Sequence, residues 1–165
     1  MTATRTLLVL RHAHARPALP GQQDFDRELS PEGLGRAARL GQTLQERALV
    51  PDLVLCSAAT RTRQTVEAMQ LTASRTEFLP ALYSASRPDI EQIVAENGDD
   101  AQTLMVVGHN PAIHGFAYDL SRHGSNATLF AAIGRAYPPA TLSIFAIDGD
   151  WNRSPHLRSR LREML

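Results

Sequence analysis

Apolar residues fall along the chain in short unbroken runs separated by amphipathic stretches and turn residues. Leu7 to Leu10 form the first run, Leu53 to Leu55 the second, Leu104 to Val107 a later one and Leu142 to Ile147 the last. Short apolar runs without alternation suit strands covered on both faces, as in parallel sheets. A briefer strand is expected at Phe78 and Leu79. Between the strands lie helical patterns. Ser30, Pro31 and Glu32 supply a cap, a first-turn proline and an early acid ahead of an inner face of Leu34, Ala37, Ala38, Gly41 and Leu44, ending near Ala48. Arg61 to Leu71 is expected to be helical with Val66 and Met69 inward, Ile90 to Val94 forms another helix, and Asn110 and Pro111 open a further one. This alternation implies an α/β fold, a three-layer sandwich with a mostly parallel central sheet flanked by helices. Ligands in such sheets gather beyond the carboxyl ends of the strands.

Two segments stand outside this rhythm. Ala15 to Leu29 is rich in Pro, Gly, Gln and Asp, so it is expected to be a long loop of functional use, and it contains Asp24 and Asp26. The tail from Trp151 onward carries Arg153, Arg158, Arg160 and Arg162 and fits an edge strand as well as a helix. Its arginines are expected to form a solvated face rather than a nucleic-acid patch.

A length of 165 residues fits one domain spanning the whole chain, and 43% hydrophobic with 21% charged residues is an ordinary globular composition. Seventeen basic residues balance seventeen acidic ones, so no net field attracts a nucleic-acid backbone or an anionic membrane. Any anion must be held by a local cluster. Cys56 is the only cysteine, which excludes an intrachain disulfide framework and multi-cysteine zinc binding, and no apolar run approaches the ~20 residues of a membrane span. A cytoplasmic monomer is expected.

Candidate chemistry sits where three of the strands end. Arg11 and His12 follow the first, Cys56 and Ser57 the second, Gly108 and His109 the Leu104 to Val107 run, and Arg61 lies near the start of the helix after Ser57. Two histidines and two arginines at one sheet edge repel one another unless an anion compensates. Arginine's planar fork matches phosphate oxygens, so phosphate is the expected anion. Ser57 is expected to orient His12 or to bind phosphate, and Asn110 to cap the next helix. His14 lacks an obvious set of partner ligands, so no metal site is expected, and His114 and His123 have structural readings. Cys56 is separated from Arg61 and Arg63 by four and six residues, neither being the five that a cysteine phosphatase loop needs, so it is expected to be a buried strand-end residue.

These residues carry a resemblance. Leu10-Arg11-His12-Ala13 is similar to the Arg-His-Gly signature of the histidine phosphatase superfamily, whose phosphoglycerate mutase-like fold is then implied. Ser57 to Thr65 resembles its Ser-x-x-x-Arg-x-x-Gln-Thr segment, and Val107-Gly108-His109-Asn110 its second-histidine motif. The small size and the stretch from Asp24 to Gly33 resemble the SixA-type phosphohistidine phosphatase branch. Ala13 replaces the usual glycine, so its backbone must accept a Cβ and avoid the left-handed region.

The resemblance implies that His12 is the nucleophile and forms a phosphohistidine intermediate, with no cofactor. Arg11, Arg61 and His109 would hold the equatorial oxygens of the transferring group. Their charge would keep His12 neutral. The acidic motif of mutase-like relatives has no clear counterpart here, leaving Asp24, Asp26, Asp89 and Glu91 as candidate general acids. A phosphoramidate needs such an acid less than an ester does, because imidazole can be protonated beforehand. The expected substrate is therefore phosphohistidine on a partner protein, with a small phosphate ester, or phospho-ligand binding without turnover, as alternatives.

Overall fold

A computed structural model describes residues 4–73, 75–98, 100–152 and 158–165; Arg153 of the tail lies outside them. Six strands form one sheet in the order β3-β2-β4-β1-β5-β6. The strands are β1 (Thr4–Arg11), β2 (Leu53–Ser57), β3 (Arg75–Leu79), β4 (Thr103–Gly108), β5 (Leu142–Asp148) and β6 (Ser159–Met164). Pairing is parallel for β1 with β4, β4 with β2 and β2 with β3, while β5 runs antiparallel to both β1 and β6. The tail after Trp151 thus closes the sheet as an edge strand.

Side chains of the apolar runs divide between two cores, because successive residues of a strand point to opposite faces. Leu7, Val9, Leu53, Leu55, Leu104 and Val106 face α3 (Arg87–Asn97), α4 (Ala112–Ser121) and α5 (Ala127–Arg135). Leu8, Leu10, Val54, Cys56, Met105 and Val107 face α1 (Pro31–Glu46) and α2 (Thr60–Met69). Both faces are covered, which is why these strands show no polar alternation.

Helix α1 begins as expected, with Ser30 Oγ accepting from the Gly33 amide and proline in the first turn. Its inner face differs from the expected one: Leu34 and Ala38 are exposed, and Gly33, Ala37, Leu40, Gly41 and Leu44 are buried. The rotation follows from backbone contact. A Cβ on Gly33 would collide with the carbonyl oxygen of His14, and one on Gly41 with that of Met69, so α1 is pressed at two glycines against the segment after β1 and the end of α2. Asn110 does not cap α4. Pro111 occupies that position without a side-chain cap bond, and Asn110 Nδ2 donates instead to the Tyr137 carbonyl at 3.0 Å.

Candidate active site

Strand register brings the expected residues together. Arg11 pairs with Gly108 and Cys56 with Val107, so the residues leaving β1, β2 and β4 emerge side by side at one rim. His12 is buried there, its ring 5.2 Å from that of His109. Its Nδ1 lies 2.7 Å from the Ala13 carbonyl, which can only accept, so Nδ1 carries the proton. Nε2 then keeps its lone pair and accepts from Arg61 Nε at 3.4 Å. Burial, with Arg61, Arg11 and Arg27 adding to it, pushes the His12 imidazole down to about 4 against the Ala13 hydrogen bond. Desolvation is thus a larger cause of neutrality than the cations expected to provide it.

Secondary contacts fix this arrangement. The Ala13 amide donates to Thr65 Oγ1, which donates to the Arg61 carbonyl, and Gln64 Oε1 accepts from the Leu29 amide. The Gln-Thr end of the Ser57 to Thr65 segment therefore holds the histidine loop and the long loop on α2. Ala13 is fully buried and does not take a positive φ, as its Cβ requires.

Arg61 is itself buried and clamped by the long loop. Its Nη1 donates to the Asp24 carbonyl at 2.7 Å and its Nη2 to the Asp24 carboxylate at 3.0 Å. Tyr83 OH donates to the same carboxylate oxygen at 2.8 Å, and Arg27 to the other at 2.9 Å. The hydrogen bonds from Arg27 and Tyr83, with Arg61 beside them, hold the Asp24 carboxyl down at about 2. The Tyr83 ring meets His109 and Phe25 edge-on. Sequence reasoning missed Tyr83 and Arg27; Tyr83 carries no motif, only its place just beyond β3.

Ser57 orients His109 and not His12: its Oγ lies 2.8 Å from His109 Nε2 and accepts from the Ala59 amide. Burial, then Arg61, lowers His109 to about 3. Arg11 Nη1 donates to the Tyr137 carbonyl at 2.9 Å, the same oxygen that takes Asn110. Buried Arg11 Nε, His109 Nδ1 and Asn110 Oδ1 have no hydrogen-bond partner among the described residues. Each such atom costs about 1–3 kcal/mol, so polarity concentrated here is not explained by folding alone.

The candidate acids separate. Asp24 belongs to the site but is held ionised, which disfavours it as a proton donor. Asp26 is exposed beside it on the same single-turn helix. Asp89 closes a capping box with Ser86 at the start of α3, which holds it ionised, and Glu91 lines a groove with Arg87, Phe116 and Asp119. Cys56 is buried and its thiol is pushed up to about 12 by burial, consistent with a structural residue. His114 donates to the Ile133 carbonyl and stacks on Tyr137.

Residues 7–82 match the family model of the histidine phosphatase superfamily (branch 1). A protein of Mycobacterium tuberculosis, Rv1276c, is 34% identical over 140 residues, covering 84% of this chain and 88% of that protein. The structure of a candidate phosphohistidine phosphatase SixA from Nakamurella multipartitia superposes with a TM-score of 0.87 at 30% identity, covering 99% of this chain and 96% of that one. The chain belongs to the histidine phosphatase superfamily, in its SixA-type branch. A phosphoglycerate mutase from Plasmodium falciparum shares the fold at 14% identity and a TM-score of 0.62, over 98% of this chain and 90% of that one. Membership makes the protein a phosphatase, a hydrolase of phosphorylated substrates. In that family setting the His12 rim is the candidate active site, and Tyr83, His109, Asn110 and the Tyr137 carbonyl come to it from outside the span that the family model matches.

Proposed function

We propose that the protein hydrolyses phosphohistidine on a partner protein through a covalent intermediate on His12, without a metal or other cofactor. The observation that carries this reading is the fixed tautomer of His12. An imidazole with Nδ1–H tied to a carbonyl and Nε2 unprotonated beside the Arg61 guanidinium is a neutral nucleophile at neutral pH.

In the first step the Nε2 lone pair attacks phosphorus as the bond to the leaving nitrogen breaks, and the departing imidazole retains a proton acquired beforehand. In the second, water attacks the phosphorus carried on Nε2 as the P–Nε2 bond breaks, its protons leaving with inorganic phosphate and the bond's electron pair returning to Nε2 as the His12 lone pair. Arg11 and Arg61 supply fixed positive charge for the equatorial oxygens, and His109, oriented by Ser57, supplies a hydrogen-bonding ring. Asp24 is the carboxylate against Arg61, and its ionised state supports a leaving group that needs no enzyme acid. This favours the phosphoramidate over an ester.

The test compares wild type and His12→Ala on a protein bearing phosphohistidine and on p-nitrophenyl phosphate. Wild type is expected to release phosphate from the phosphoprotein with the larger kcat/KM, and His12→Ala to lose at least about 10³-fold on both, the scale of removing a nucleophile. Rapid ester hydrolysis with no action on phosphohistidine would instead establish a small-molecule phosphomonoesterase. Absence of turnover on both would leave a binding module.

A further inference from the structure

We infer that the groove beside His14, walled by α1 and by Pro138-Pro139, docks the acidic surface that flanks the phosphohistidine of the partner protein. The inference rests on the phosphohistidine reading of the site. The groove has a volume of about 370 Å³ and is lined by His14, Glu32, Gly33, Arg36, Arg39, Pro138 and Pro139. Its walls are tied to the His12 segment by chain connection and hydrogen bonds. His14 follows His12 by two residues, a span of at most about 7 Å. The Ala140 amide, just past the proline wall, donates to the His12 carbonyl at 3.1 Å, and Tyr137, just before it, accepts from Arg11.

Charge and exposure indicate the occupant. Arg36 and Arg39 are exposed and form no ion pair with any described residue, although Glu32 stands one helical turn before Arg36 on the same groove. By contrast Arg27, on the active-site side of the loop, is consumed by Asp24. Two guanidinium groups without an ion pair among the described residues, beside an apolar proline wall, fit a protein surface with acidic residues better than a free metabolite. A small phosphate ester held at His12 has no group that reaches α1.

The experiment uses the full chain and two synthetic phosphohistidine peptides, one flanked by glutamates and one by serines, with p-nitrophenyl phosphate as the third substrate. Wild type is expected to favour the acidic peptide about tenfold in kcat/KM at low salt, with the preference fading as ionic strength rises. Arg36→Glu with Arg39→Glu, and separately the milder Arg36→Gln with Arg39→Gln, should abolish the preference and leave p-nitrophenyl phosphate turnover unchanged. Equal turnover of the two peptides by wild type, or a preference that survives both double variants, overturns the docking surface and leaves the phosphatase reading intact. Turnover of p-nitrophenyl phosphate with neither peptide cleaved removes the phosphohistidine reading and the docking surface with it.

Discussion

His12 and His109 are neutral for a common reason: both rings are buried at a rim crowded with guanidinium groups, and each proton that enters must be desolvated. The acid limb of kcat/KM should therefore fall near pH 4, well below the 6.5 of an unperturbed imidazole, in a pH–rate profile on p-nitrophenyl phosphate. A limb near pH 6.5 would contradict the assignment. Stability follows with the same sign. Each folded value lies below its unfolded one, so the unfolded chain binds the extra protons, and stability is complete above pH 6.5 and declines as pH drops toward 4 and then 3. Asp24 adds a loss of the same sign between 3.8 and about 2. Melting temperatures recorded between pH 7 and 3 should decrease continuously through this window.

At the scale of elements, what the sequence made legible was whatever depends on local pattern. The buried strands, the Ser30 cap and the convergence of Arg11, His12, Arg61 and His109 all follow from runs, caps and strand ends. The rotation of α1 did not, because it is decided by backbone contact at Gly33 and Gly41, and a glycine leaves no mark in a hydrophobic pattern. The helix α5 was also missed. Its sequence from Ala127 to Arg135 is largely apolar and Asn126 caps it at the Leu129 amide, so the signal was present; its nine residues and the burial of Ile133 alone make it a short helix at the edge of the core. Nor could spacing show that Asp24 clamps Arg61, since that needs the path of a long loop. The α1 contact gives a direct measurement. Gly33→Ala should destabilise the fold by about 1–3 kcal/mol in urea titration, as overpacking does, and lower kcat by displacing the His12 to His14 segment. Gly35→Ala, which would meet only the mobile end of Arg39, should instead gain about 0.5–1 kcal/mol from the lost flexibility of the unfolded chain.

For the molecule as a whole, the sheet places β1 and β4 at its centre and leaves β3 and β6 as its margins. The active site is built on the central strands, where register is pinned from both sides, while the margins carry charge. On β3, Arg75 and Glu77 pair at 2.9 Å across the exposed surface. On β6, Ser159 and Leu161 turn inward while Arg160 and Arg162 face solvent. Two of the tail's arginines, Arg160 and Arg162, therefore line an open strand whose backbone could otherwise accept a neighbour. Replacing them, as Arg160→Val with Arg162→Val, should make sedimentation depend on concentration more steeply than in the wild type; unchanged sedimentation would count against this role. The cations of the last strand are thus placed as a fence against a second copy extending the sheet.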